Sequence, residues 1–341
     1  MKLKFISLFF LVSFFEIAIA EKIYTSDKHS YSIETVVDGL QYPWAMEFIT
    51  NKKILITERP GNLRIYENGK LSPPIKGLPS VKAIRQGGLL DIALDPDFNK
   101  NKIIFFSYSA GNMFGIGTEV ASARLFKHEL KDIKVLFRAL PKSKGGLHFG
   151  SRLLLTSDNS LYITLGDRGE MDRAQDIADH AGSLIRINKD GSIPENNPFI
   201  NDVDAKPEIY TYGNRNIQGI ALNPVTNGVW AIEHGPQGGD ELNLMKPGVN
   251  YGWPVITYGV NYGVGTKIGE GTHKKGMSQP VYYWVPSIAT SSVLFYSGEK
   301  FPNWKGNAFV SSLRFGQLAR LEMADNKVVK EERLINGAVG R

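Results

Sequence analysis

A chain of 341 residues with no cysteine, 42% of it hydrophobic and with a formal charge of +6, can bury a large core but has no disulfide or lipidated cysteine to draw on. Its Lys and Arg residues are dispersed rather than striped, which argues against a nucleic-acid surface and leaves room for a small acidic ligand in a basic pocket. No Ser-, Gln- or Pro-rich spacer divides it, so one large domain is expected over residues 21–341.

In chain order, residues 1–20 read as a secretory signal peptide. Lys2 and Lys4 precede an apolar run from Phe5 to Phe15, and Ala18-Ile19-Ala20 supplies a small-x-small cleavage pattern. Cleavage after Ala20 would export the rest to the periplasm. No later stretch approaches the ~20 apolar residues of a membrane span, so no stable membrane anchor is expected.

A loose repeat then begins. Trp44–Phe48 with Ile54–Thr57 is a short strand, a polar turn and a second strand, and the pattern returns four times. The later copies are Leu90–Leu94 with Ile103–Ser107, Ser151–Leu155 with Leu161–Thr164, Gln218–Leu222 with Gly228–Ile232, and Ser292–Tyr296 with Asn307–Ser311. Three copies continue into a third strand, at Leu63–Tyr66, Ser183–Ile187 and Gln317–Leu321. Antiparallel units recurring at this spacing predict an all-β fold, a β-propeller of four-stranded blades. Five blades are legible. A sixth would need the strand Tyr31 to Val37 to complete it, because the chain stops at Arg341 where the next pair is due; the expectation is a six-bladed propeller whose last blade is truncated, with an open edge on the fifth.

Polar residues near predicted strand ends are the candidates for chemistry, since propeller sites form where loops from several blades meet at the axis. They are Gln86, His148, Asp167, Arg215, Asn216, the run from Glu233 to Glu241, and Arg314. His148 stands among three glycines in Gly145-Gly146-Leu147-His148-Phe149-Gly150. Glycine lets backbone approach a ligand closely, but it is also ordinary loop composition. Trp44, Trp230 and Trp253 read as packing aromatics.

The motifs RQGGLLDIALDPDF, GGLHFGSRLLL, YITLGDRG, YGNRNIQGIALNP, EHGPQGGDELN and NYGWP, in this order, resemble the soluble quinoprotein glucose dehydrogenase family, and more closely its pyrroloquinoline quinone (PQQ)-dependent aldose sugar dehydrogenase branch. The resemblance runs from about Gly39 to Arg341. It implies a six-bladed propeller that oxidises the C1 hydroxyl of an aldose to a lactone, with His148 as general base and electrons passing through PQQ to a diffusible acceptor. It further implies cofactor binding by Gln86, Arg215, Asn216, Tyr262, Arg314 and Arg341, the last matching only the first member of the family's Arg-x-Arg pair. Calcium is implied at the carbonyls of Gly235 and Pro236, and a second calcium near Glu241 and Tyr251. A monomer or homodimer is expected. Two other readings stay open on the sequence alone, a metal-dependent lactonase or esterase and a non-catalytic binding scaffold.

Overall fold

A computed structural model describes residues 22–337; the expected signal peptide and Arg341 lie outside the described residues. Five four-stranded antiparallel sheets follow one another along the chain. Blade I comprises Pro43–Thr50, Lys53–Glu58, Asn62–Glu67 and Lys70–Leu71, and blade II comprises Leu89–Leu94, Ile103–Asn112, Gly115–Phe126 and Glu129–Arg138. Blade III is Leu153–Leu155, Ser160–Thr164, Leu184–Asn188 and Ile209–Thr211. Blade IV is Ile217–Leu222, Val229–Glu233, Asp240–Met245 and Tyr282–Trp284, and blade V is Thr290–Phe295, Ala308–Ser312, Gln317–Ala324 and Lys327–Ile335.

Alternation along each strand makes the seams between blades. Ile104 and Phe106 point into a cluster with Leu55, Leu63 and Ile65 of blade I, whereas Phe105 between them joins Leu161, Ile163 and Ile185 of blade III. Tyr162 and Leu184 meet Ile217, Val229 and Ala231 across the next seam, and Trp230, Ile232 and Leu242 meet Val293, Val310 and Leu321 across the last. Blades II, III and IV are apolar on both faces because each face is covered by a neighbour. Trp230, fully buried, is the packing aromatic expected.

The expected sixth blade is not formed among the described residues: five four-stranded sheets are joined by one two-stranded ribbon, Ile23–Thr25 paired with Ser30–Ser32. The predicted strand from Tyr31 to Val37 is cut short because its aromatics are committed elsewhere. His29 and Tyr31 pack edge-on against Trp304, and the Tyr31 hydroxyl donates to the Leu334 carbonyl, fixing the ribbon against blade V. Residues 33–42 then run to blade I without strand pairing. Adjacent blades pack from I to V in order, and among the described residues no packing of comparable extent joins V to I. Met46 and Phe48 of blade I and Leu294 of blade V are exposed.

At the axis one side chain gathers all five sheets. Arg152, at the start of blade III, donates to Asp91 of blade II at 3.1 Å, to the Gln218 carbonyl of blade IV at 2.9 Å and to the Ser291 carbonyl of blade V at 2.9 Å. Its guanidinium lies 4.2 Å from the ring centroid of Trp44 in blade I. Burial pushes the Asp91 carboxyl up from its ordinary value, and the charge of Arg152 is the chief opposing influence.

Candidate active site

A cleft of about 300 Å³ opens over this axis, lined by Trp44, Arg59, Arg85, Gln86, Phe149, Asn216, Gln218 and His234 among others. Its chemistry is cationic and amide-rich. The segments that lead into the blades supply Gln86 and Asn216 to the cleft and bring His148 beside it. Gln86 precedes blade II, His148 precedes blade III and Asn216 precedes blade IV.

His148 adjoins the cleft through its neighbour Phe149 and its bonded partner Gln86, both of which line it, and has a left-handed backbone conformation, φ 49°. Its N–H donates to Gln86 Oε1 at 2.7 Å, which fixes the Gln86 amide and leaves that side chain's NH₂ end for a ligand. Glycine is required opposite: a Cβ on Gly166 would stand 2.4 Å from the His148 carbonyl oxygen and 2.8 Å from Asn216 Oδ1. The imidazole Nδ1 lies 2.5 Å from Asp167 Oδ1. A carboxylate there accepts the Nδ1–H, which leaves Nε2 with a lone pair. Asp167 also accepts the Gly169 N–H at 2.7 Å and the Trp253 indole N–H at 2.8 Å. Burial works to raise its pKa, but the His148 hydrogen bond and charge, the Gly169 N–H and the Arg215 charge outweigh it and hold Asp167 below the ordinary carboxyl value.

Arg215 and Glu241, with Glu233, Gly235, Tyr251 and Trp253, line a smaller cavity that shares His234 with the main cleft. The Arg215 backbone N–H donates to Glu233 Oε2 at 2.5 Å and its guanidinium donates to the His234 carbonyl at 3.2 Å. Glu233 and Glu241 face each other across adjacent strands of blade IV. Burial pushes both carboxyls up, and for Glu241 the facing Glu233 charge adds to the effect. Asn214 and Asn243 donate to Glu233 at 2.7 and 3.3 Å, while both amide oxygens are buried without a partner. A buried carboxylate and a half-buried one amid unspent amide oxygens fit a hard divalent cation. Gly235 needs its missing Cβ, which would stand 2.1 Å from the Gly239 carbonyl oxygen, and Pro236 O accepts a 3.3 Å bond from Ser287. Among the described residues no three His, Cys, Asp or Glu side chains converge on one point, so a cation here would take part of its shell from carbonyls or amides.

The remaining candidates are placed less centrally. Arg314 donates to the Ser287 carbonyl at 3.1 Å, while its neighbour Leu313 lines the cleft. Tyr262 is 67% exposed on a loop whose Gly263 N–H donates to Gln237, and it is not among the cleft-lining residues. Trp44 and Trp253 are buried in apolar clusters, as expected of packing residues, and also meet the site: the first lies under Arg152, the second on Asp167. Arg59, Arg85 and Gln218 lack distinctive spacing in the sequence, though Arg85 and Gln218 sit one or two positions from residues singled out there; Glu233 heads the acidic run expected at the site.

The propeller thus pairs an axial cleft of cations and amides with a carboxylate-held imidazole beside it. Residues 40–341 match the Glucose / Sorbosone dehydrogenase family, and the chain belongs to it. It is 42% identical over 311 residues to the aldose sugar dehydrogenase YliI of Escherichia coli (strain K12), covering 89% of this chain and 84% of that one. The crystal structure of the soluble aldose sugar dehydrogenase from Escherichia coli in the apo-form superimposes with a TM-score of 0.86 at 41% identity, covering 89% of each chain. The PQQ-bound aldose sugar dehydrogenase of Streptomyces coelicolor gives 0.76 at 25% identity, covering 92% of this chain and 87% of that one. Membership makes the protein a sugar dehydrogenase in class. No helix among the described residues is long and apolar enough to cross a membrane.

Proposed function

We propose that the protein is an exported, periplasmic quinoprotein that oxidises the C1 hydroxyl of an aldose to a lactone. The observation that carries this reading is the His148–Asp167 pair beside a cleft of cations and amides. Asp167 holds the imidazole tautomer and direction, so His148 Nε2 is free to take the proton of the C1 hydroxyl. PQQ, when bound, supplies the two-electron acceptor for the C1 hydride. Arg59, Arg85 and Arg215 fit its carboxylates by charge, since guanidinium pairs bidentately with carboxylate. Gln86 and Asn216 offer amide donors, and Arg314 reaches the same region from blade V. Tyr262 would join them only by an inward movement of its loop. Calcium would be held at the Gly235 and Pro236 carbonyls and at Glu241 with the Tyr251 carbonyl, and it would supply a Lewis acid at the first of these. The product electrons pass to a diffusible acceptor.

A metal-dependent lactonase needs acidic and amide side chains around an axial ion; here Arg152 occupies the axis and bonds to three neighbouring blades. The test is dye reduction by purified protein supplied with PQQ and calcium against a panel of aldoses. Sugar-dependent reduction is expected. Its absence, or lactone hydrolysis without quinone, would overturn the reading.

A further inference from the structure

The tryptophans of this propeller are not equivalent. Trp230 and Trp304 are buried with indole N–H groups that have no partner, as expected of rings held by packing. Trp253 is equally buried, but its apolar cluster contains only Ala174 and Ile268. Its N–H is aimed at Asp167 Oδ2 at 2.8 Å, while His148 occupies Oδ1 at 2.5 Å. The two oxygens of one buried carboxylate are thus divided between the imidazole and the indole.

The turn that presents Trp253 is rigid. Its N–H donates to the Gly213 carbonyl at 2.8 Å, and its carbonyl accepts from Gln175 Nε2 at 2.7 Å. Gly252 precedes it at φ 92°, where a Cβ would stand 2.2 Å from Ile256. The face of the indole is also used: the Arg215 guanidinium lies 5.4 Å from its ring centroid. One side chain therefore reaches the orienting carboxylate through its edge and a cleft-side cation through its face.

We infer that Trp253 is a positioning residue, whose N–H turns the Asp167 carboxylate toward His148 and whose ring seats Arg215, coupling the proton acceptor to the ligand-holding cation. This rests on the assignment of His148 as base. Without the N–H, the carboxylate loses a donor and an angular restraint, so the imidazole is less well directed.

Trp253→Phe keeps an aromatic face and removes the N–H; Trp253→Leu removes both. For Trp253→Phe we expect quinone loading close to wild type, kcat lower by about tenfold, a part of the ~10²–10⁴ that a positioned base contributes, little change in KM, and a kcat–pH profile displaced from that of wild type. Trp253→Leu should in addition weaken quinone loading. An unchanged profile and kcat in Trp253→Phe would overturn the inference. A second readout needs no cofactor: in the ¹⁵N-labelled protein the Trp253 indole resonance should be protected from solvent exchange and should move in both Asp167→Asn and His148→Gln. Indifference of that resonance to both changes would refute the coupling even if sugar oxidation is established. Its response would support the coupling even if sugar oxidation is not.

Discussion

The facing pair Glu233 and Glu241 makes a prediction whose sign and size follow from burial. Burial pushes Glu233 up to about 7 from an ordinary 4.5, and Glu241 rises with it. A carboxyl raised on folding contributes stability fully below its unfolded value, and loses it as pH rises through the folded one. The shift of Glu233 corresponds to about 3 kcal/mol at 1.36 kcal/mol per unit, which for a domain of this size is a melting change of about 5 °C. In EDTA, the melting temperature should therefore fall between pH 5 and pH 8 by roughly that amount. Calcium at a hundred times its Kd should restore about 2.7 kcal/mol at pH 8 and very little at pH 5, where the pair is protonated. Glu241→Gln keeps the shape, removes one of the two facing charges and leaves Glu233 its bonds from Asn214 and Arg215. That variant should show a flatter pH slope and no calcium response. Differential scanning calorimetry in EDTA or calcium checks this. A wild type indifferent to both pH and calcium, or a Glu241→Gln protein that keeps the full calcium response, would refute the reasoning.

Arg152→Met should destabilise the fold by about 3–5 kcal/mol in urea titrations, because Asp91 is left buried without its partner; adding Asp91→Asn should recover part of the loss, and a change below about 1 kcal/mol would show that the axis does not depend on the pair. Asp167→Asn should leave the protein folded at neutral pH while turnover falls by roughly 10²–10⁴-fold, measured by dye reduction. Because the Asp167 carboxyl is held below its ordinary value, its contribution to stability is complete above about pH 4 and is lost as pH falls further; acid unfolding of Asp167→Asn should accordingly begin from a lower neutral-pH stability and fall less steeply than that of wild type.

Much of the blade pattern could be read from the sequence, because each inner pair of strands is a run of β-branched and aromatic residues closed by a polar turn. Trp44–Phe48 with Ile54–Thr57 and Leu161–Thr164 with Ser183–Ile187 needed no more than alternation. The strand Asp240–Met245 is hidden in the sequence, since Asp-Glu at its start resembles a solvated loop; only the pairing with neighbouring strands reveals that Asp240 is buried and Glu241 half-buried. The strand pair Gly115–Phe126 and Glu129–Arg138 was missed for a similar reason, as small and charged residues mask its period. The strand expected at Tyr31 was misplaced because β character does not specify the partner, and Trp304 claims that residue. Within the site, Gln86, His148 and Asn216 are legible because glycines flank them in the turns that lead into the blades. The contacts of Asp167 with His148 and Trp253 join residues 19 and 86 positions apart, and no local pattern encodes such a meeting.

Anaerobic mixing of the PQQ-loaded protein with excess aldose, followed by the loss of quinone absorbance, tests the central claim most directly when wild type and His148→Gln are compared. The two proteins should take up the same amount of quinone, and the variant should bleach slower by about 10² or more. Equal bleaching rates would contradict the assignment of His148 as base, and a variant that cannot take up quinone would place this histidine in binding instead.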